Sequence, residues 1–471
     1  MLNRLFKLAE NGTSVRTEVV AGLTTFMTMA YILAVNPNIL SAAGIPKGGV
    51  FMATAIASVV GTLLMAFMSN YPFVLAPGMG LNAFFAFGVV IGMGYSWQFA
   101  LLAVFVEGLV FLALSLTQVR EGIFNSIPMS IKRAVAAGIG LFICFIALQT
   151  AKVVVRDDNT FVALVDFKCV DFHTHGVTAL LALLGTLLTG VMLARKWKGA
   201  ILLGIFATWA LGMFAQAAGI YIPDPAKGFF STYPNFTVGD VANSFKEFGS
   251  IIGAVLDSGS WTHTVKGEVV GSGWPLVKSV DFFVVMFAFF FMDLFDTLGT
   301  LIGVSLKGGF LDKDGRLPRI SGALCADSIA TSVGAFLGTS TTTTYVESAS
   351  GVAVGGKTGL TAAAAAALFA LAILFAPIFL AIPGFATTPA LVIVGCMMIS
   401  SCADIEWRDT GEAVPAFLSI AVMPFTYSIS ASIMFGVISY TAINALAGNF
   451  KRIHWIMYVL TAVFLAKFVL M

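Results

Sequence analysis

Gly338-Thr339-Ser340-Thr341-Thr342-Thr343-Thr344-Tyr345-Val346-Glu347 interrupts a chain that otherwise reads as a series of apolar helices. Threonine is β-branched, so a run of it favours extended backbone over helix. The run nevertheless lies between apolar stretches at 320–338 and 359–381, each about the length that crosses a bilayer. Non-helical backbone is tolerated at that depth only where protein or a water-filled cavity meets its polar groups. The first half holds a counterpart. Leu75-Ala76-Pro77-Gly78-Met79-Gly80-Leu81-Asn82, too rich in Pro and Gly to be helical throughout, opens the apolar stretch 74–93. Each segment predicts a short extended piece feeding a half-helix. The two half-helix N-termini, near Asn82 and Ser348, carry unpaired N–H donors and partial positive charge.

Working outward, 58% of the 471 residues are hydrophobic and 11% are charged, against roughly 25% charged in a soluble domain. That deficit excludes a soluble enzyme, a disordered protein and a nucleic-acid binder. The chain reads as an all-α polytopic membrane protein. Five cysteines lie mostly in apolar stretches without CxxC spacing and read as small core residues, not metal ligands. No cleavable signal is expected, because the first apolar run follows Glu18 and is long enough to span. Candidate spans in the first half are 17–36, 49–69, 74–93, 97–117, 128–149, 176–194 and 199–219. The second half gives 280–306, 320–338, 342–356, 359–381, 384–402, 411–427, 429–447 and 453–470. Segment 411–427 is short and broken by Pro415 and Pro424, and 453–470 either crosses or lies along the surface. The count is about 14.

The basic residues orient this layout. Placing the N-terminus inside puts 17 Lys and Arg on inner segments, among them Arg4, Arg16, Arg120, Arg195, Lys313, Arg316, Lys357 and Arg452, and 8 on outer ones. The positive-inside rule therefore predicts a cytoplasmic N-terminus in a cell (inner) membrane. The polar connection 220–279 then lies outside, with Ser244–Asp257 expected as a short amphipathic helix at the interface.

Two matches between the halves point to duplication. Ile56-Ala57-Ser58-Val59-Val60-Gly61-Thr62-Leu63-Leu64-Met65 and Ile329-Ala330-Thr331-Ser332-Val333-Gly334-Ala335-Phe336-Leu337-Gly338 agree at five of ten positions, and Ile127-Pro128 is echoed by Ile382-Pro383. Both matches are seven spans apart, an odd number, so the second half enters the membrane upside down. Such inverted repeats mark many secondary transporters, with the substrate site at interrupted helices near mid-membrane. The expected organisation is a first repeat at 1–219, the connection 220–279 and a second repeat at 280–471.

Carboxylates in spans are scarce and therefore informative, since each costs at least about 2.5 kcal/mol to insert. Asp293, Asp296, Thr297 and Thr300 follow i, i+3, i+4, i+7 spacing and make one polar stripe on an apolar helix. Thr24, Thr28 and Tyr31 make another in span one, and Glu347 stands at the entrance to the second half-helix. Glu107 and Asp327 also lie in apolar stretches but lack a stripe, and read as structural or rim residues. Two carboxylates, an amide at Asn82 and a hydroxyl-rich strand suit a small, flat, neutral molecule with several N–H groups and ring acceptors. Phe84, Phe85 or Phe291 would stack on it. Purines and pyrimidines fit; an anion fits less well, because no Arg or Lys falls at the supposed centre.

Gly351-Val352-Ala353-Val354-Gly355-Gly356-Lys357-Thr358 satisfies the pattern G-x-x-x-x-G-K-[ST]. A working phosphate loop needs an apolar strand before it inside a soluble α/β domain, and here a threonine run precedes it. ATP binding is not expected, and neither a metal nor an organic cofactor is.

At these residues the chain resembles the azaguanine-resistance-type (AzgA-like) purine permeases, a branch of the nucleobase–cation symporter-2 family. The motifs that carry the resemblance are Thr24 to Ile32 with Val35-Asn36-Pro37, Ala76 to Phe85, Asp293 to Thr300, and Tyr345 to Ser348 through Gly351 to Gly356. The resemblance implies 14 spans in a seven-plus-seven inverted repeat. It implies a core domain at about 17–117 and 280–381 and a gate domain at about 128–219 and 384–471. It implies import of adenine, guanine or hypoxanthine with protons, as a homodimer in the bilayer. By motif position Asn82, Asp293 and Glu347 would contact the base, with Met79 and Gly80 in the crossing strand nearby. Asp296 would support the site or the proton coupling. Thr28 and Phe291 complete the expected substrate set, and Asp293, Asp296 and Glu347 the proton-coupling set. The alternatives are the same fold carrying uracil, xanthine or an inorganic anion, or a passive channel.

Overall fold

Apolar segments in a bilayer satisfy their backbone by coiling into helices, and this chain does so along most of its length. The computed structural model describes residues 2–115, 128–157, 160–168, 170–224, 229–234, 238–312, 317–426 and 428–470. Of the residues named above, Arg120, Ile127, Lys313, Arg316 and the end of the expected core segment at 116–117 lie outside the described residues.

The elements in order are α1 (Val15–Met29), α2 (Ile32–Ser41), α3 (Lys47–Met68), β1 (Leu75–Pro77), α4 (Met79–Ala83), α5 (Trp97–Ser115) and α6 (Met129–Thr150). The hairpin β2 (Val154–Asp157) and β3 (Phe161–Leu164) follows, then α7 (Val177–Ala194), α8 (Ala200–Ala217), α9 (Val238–Ile251) and the hairpin β4 (Thr262–Val265) and β5 (Glu268–Ser272). The second half comprises α10 (Val280–Gly308), α11 (Ile320–Leu337), β6 (Thr342–Thr344), α12 (Ser348–Val354), α13 (Gly359–Ala372), α14 (Ala376–Ala381), α15 (Gly384–Ile399), α16 (Thr410–Thr426), α17 (Ile429–Leu446) and α18 (Trp455–Leu470). Helix α4 continues as a wider turn over Phe84–Gly92. Among the described residues ten helical segments are long and apolar enough to cross a membrane, and three shorter apolar ones accompany them. This is a multi-pass membrane protein.

The helices gather into two groups. Helix α3 packs on α11, α13 and α2, α5 packs on α11 and α10, and α12 and α13 pack on α1. Separately, α6 packs on α15 and α16, α7 on α8 and α15, and α16 on α17. The groups touch through pairs such as α4 with α6 and α10 with α17.

Three local outcomes have physical causes. The amphipathic helix of the 220–279 connection lies at Val238–Ile251, earlier than the expected Ser244–Asp257, and ends where Gly253 turns left-handed at φ +73°. It packs on α3, where Glu247 Oε2 accepts from the Gly49 N–H at 3.1 Å. Segment 410–426 is one helix despite Pro415. The Gly411 carbonyl that loses its helical donor to that proline accepts instead from Asn444 Nδ2 at 3.0 Å. Finally, α11 ends on Gly338 at φ +98°, a left-handed backbone that a side chain disfavours, and this turns the chain into the threonine run.

Candidate functional site

The two extended segments meet. β1 and β6 pair antiparallel with Leu75 opposite Thr344, Ala76 opposite Thr343 and Pro77 opposite Thr342. Antiparallel pairing sends α4 and α12 away in opposite directions, so both N-termini face the crossing. The remaining backbone groups find partners in the flanking helices. The Leu75 N–H donates to Thr62 Oγ1 at 3.0 Å, Thr331 Oγ1 donates to the Thr342 carbonyl at 3.0 Å, and the Gly78 N–H donates to the Thr341 carbonyl at 2.9 Å. Polar residues in α3 and α11 therefore complete the hydrogen bonding of non-helical backbone inside the protein.

Two kinds of environment surround this crossing. The first is closed. Asn82 is fully buried; Ser340 Oγ donates to its Oδ1, and its Nδ2 donates to the Pro77 carbonyl at 3.3 Å. Asn82 thus ties one extended segment to the other. Asp293 is also fully buried, and its Oδ1 accepts from Thr297 Oγ1 at 3.3 Å. Thr297 Oγ1 lies 2.8 Å from Asp327 Oδ2 and 2.7 Å from Thr343 Oγ1, while Thr344 Oγ1 donates to Asp327 Oδ1 at 3.1 Å. Asp327 and Glu107, both fully buried, are electrostatic neighbours of Asp293. Met79, Gly80 and Phe291 are enclosed as well. A Cβ on Gly80 would stand 2.5 Å from Ile139 Cγ2 of α6, so only glycine permits that approach. Phe291 packs against Phe287, with ring centroids 6.0 Å apart.

The second environment is open. Asp296 and Gly299, one turn apart on α10, are accessible, and so is Val346 beside the half-buried Glu347. A charged side chain exposed within a spanning helix marks a water-filled crevice, not lipid. Asp296 is an electrostatic neighbour of Glu347. Tyr31 donates its O–H to Glu347 Oε1 at 2.7 Å, and Thr28 Oγ1 lies 2.9 Å from Ser350 Oγ. The structure therefore divides the expected residues. Thr28, Asp296 and Glu347 border the crevice; Asn82, Met79, Gly80, Phe291 and Asp293 stand behind it. Chemically, the crevice offers carboxylate acceptors beside two helix N-termini, with Tyr31 buried behind Glu347. A separate cavity of about 910 Å³ opens on the face of the 220–279 connection, lined by Lys47, Glu247, Phe230, Tyr233 and Phe385.

Asp327 belongs to the Asp293 cluster, although spacing along its own helix gave no stripe. A carboxylate in an apolar span was the available signal; its partners on α10 and β6 are tertiary.

Comparison with known proteins adds sequence relatives and fold neighbours. The model described as "Permease family" (xanthine/uracil permease type) matches residues 16–435. The guanine/hypoxanthine permease PbuO of Bacillus subtilis is 40% identical over 465 residues, 98% of each chain. The adenine permease AdeQ of Escherichia coli is 38% identical over 472 residues, covering 100% of this chain and 96% of that protein. Among solved structures, the transmembrane domain of a cyanobacterial bicarbonate transporter, BicA, aligns with a TM-score of 0.60 at 14% identity, over 89% of this chain and 97% of that one. That likeness concerns the fold alone.

Proposed function

The chain belongs to the nucleobase–cation symporter-2 family of permeases, and from that premise we propose that it imports purine nucleobases with protons by alternating access. The observation that carries this reading is the crevice beside the β1/β6 crossing, where Asp296 and Glu347 offer acceptors to the N–H edge of a neutral ring. Adenine, guanine and hypoxanthine all present such an edge, and relatives at about 40% identity carry adenine or guanine/hypoxanthine in their names. Asn82 fixes the crossing behind the base. Asp293, Asp296 and Glu347 carry the coupling proton, with Asp327 and Glu107 packed around Asp293.

The whole-molecule reading is 14 spans in a seven-plus-seven inverted repeat. A core at 17–117 and 280–381 moves against a gate at 128–219 and 384–471, in a homodimer with its N-terminus in the cytoplasm. Support for the repeat comes from the matched glycines. A Cβ on Gly61 would lie 3.3 Å from Leu75 Cβ, and one on Gly334 would lie 2.5 Å from Thr342 Oγ1. Each lies against the extended segment of its own half, although a Cβ on Gly61 would lie closer still to Ala330 Cβ of the other half, at 2.9 Å. An anion substrate is disfavoured by the carboxylates at the crevice.

The test is uptake of labelled hypoxanthine, guanine and adenine into cells lacking their own carriers, with unlabelled purines, uracil and xanthine as competitors. Saturable, concentrative uptake that Asp293→Asn and an uncoupler each abolish is expected. Uptake that ignores both defeats the coupling mechanism, and uptake that neither saturates nor concentrates identifies a channel.

A further inference from the structure

The phosphate-loop pattern at Gly351–Thr358 has a use inside the protein. Glu18, in the first turn of α1, is fully buried, and its carboxylate sits where this segment turns into α13. The Lys357 N–H donates to Oε1 at 3.0 Å. Oε2 accepts from the N–H groups of Thr358 and Thr361, both at 3.2 Å, and from their hydroxyls at 2.8 and 2.6 Å. Thr358 is the N-cap of α13, and Thr361 stands three residues into the first turn. The cradle that would take a phosphate in a soluble domain is filled here by a side chain of the same protein, at the positive end of a helix.

The consequence reaches Glu347. Helix α12 has only seven residues, too few to hold its own position. Helix α1 lies along it as a splint. At the far end Tyr31 holds Glu347, in the middle Thr28 meets Ser350, and at the near end Glu18 holds the segment leaving α12. Between these points there is no slack: a Cβ on Gly351 would stand 2.1 Å from Thr25 Oγ1, and one on Gly22 would stand 2.6 Å from the Thr361 carbonyl.

We propose that Glu18 is a positioning residue for the substrate site: by filling the cradle at Lys357–Thr361 it fixes the register of α1 on α12, and thereby the placement of Glu347. The inference rests on the reading that Glu347 faces the base, but its test does not need the base. In a background with the native cysteines replaced by alanine, Val346→Cys reports α12 and Gly299→Cys reports α10, each through its rate of reaction with a water-soluble maleimide. Glu18→Gln sets an NH₂ against a ring of donors. It is expected to change the rate at 346 by at least about threefold and leave that at 299 unchanged. Thr361→Val, which removes one donor and keeps the carboxylate, is expected to act in the same sense and serves if Glu18→Gln fails to fold. Unchanged rates at 346, or equal changes at 346 and 299, overturn the proposal. Hypoxanthine binding to the purified protein is measured alongside. A shift at 346 without binding by the parent protein upholds the positioning role and sinks the purine reading instead.

Discussion

Tyr31 and Glu347 form a direct hydrogen bond between span one and a carboxylate at the crevice. A hydroxyl that donates to a carboxylate holds its orientation as well as its charge. Removing that hydroxyl frees the carboxylate to rotate and leaves packing nearly intact. Tyr31→Phe is therefore expected to raise the KM for purine uptake about tenfold, the scale of one charge-assisted bond. The amount of protein in the membrane stays at parental level. Uptake kinetics normalised to membrane protein measure it; an unchanged KM refutes this role of Tyr31. At this scale the sequence is informative about which residues are chemically unusual, because a carboxylate in an apolar run stands out. It is silent about which way each one faces. Asp293 and Asp296 are three residues apart on one helix, yet one is enclosed against Thr297 and the other reaches the crevice. Glu18 sits at the polar start of a span, where an acidic residue is ordinary helix-end chemistry, so nothing local distinguishes it.

At the scale of elements, helices α7 and α8 show how small residues set the packing of the second group. A Cβ on Gly185 would lie 2.1 Å from Thr208 Oγ1, and one on Gly204 would lie 2.1 Å from Thr189 Oγ1. Each helix thus carries a notch and, four residues later, a knob that fills the other's notch. Thr189 Oγ1 and Thr208 Oγ1 donate back to the Gly185 and Gly204 carbonyls, both at 2.7 Å, which buries the hydroxyls without cost to the interface. Gly204→Ala is expected to destabilise the protein by about 1–3 kcal/mol through overpacking. Adding Thr189→Ala, which removes both methyl and hydroxyl from the crowded spot, is expected to restore part of the loss. Thermal unfolding in detergent of the single and double variants decides; a double variant no better than Gly204→Ala rules out the interlock. Extended pieces at Leu75–Pro77 and Thr342–Thr344 are legible in the sequence, because Pro, Gly and threonine runs act on the local backbone. The pairing of those pieces is not: it joins residues more than 260 positions apart, and Thr62 and Thr331 complete it from other helices.

On the scale of the whole molecule, the depth of the crevice follows from the paths of α10 and α1. Helix α10 leaves the 220–279 connection at Val280, so Asp296 lies about 24 Å further along at 1.5 Å per residue. Tyr31, which donates to Glu347, lies the same about 24 Å along its span from Val15, so the two carboxylates stand near the middle of the hydrocarbon layer. We propose that the crevice opens toward the face that carries the N-terminus, which the distribution of basic residues argues is the cytoplasmic one. Gly299 suits a direct test, since no atom lies within 4 Å of a Cβ placed there and a cysteine fits without strain. In the cysteine-free background, Gly299→Cys is expected to react with an impermeant maleimide in inside-out vesicles and to resist it in right-side-out ones. Hypoxanthine is expected to slow the reaction, because the base would occupy the space between Asp296 and Glu347. Labelling from the outer side alone would reverse the assigned orientation. Equal labelling from both sides would describe a continuous pore, and with it a channel in place of a carrier.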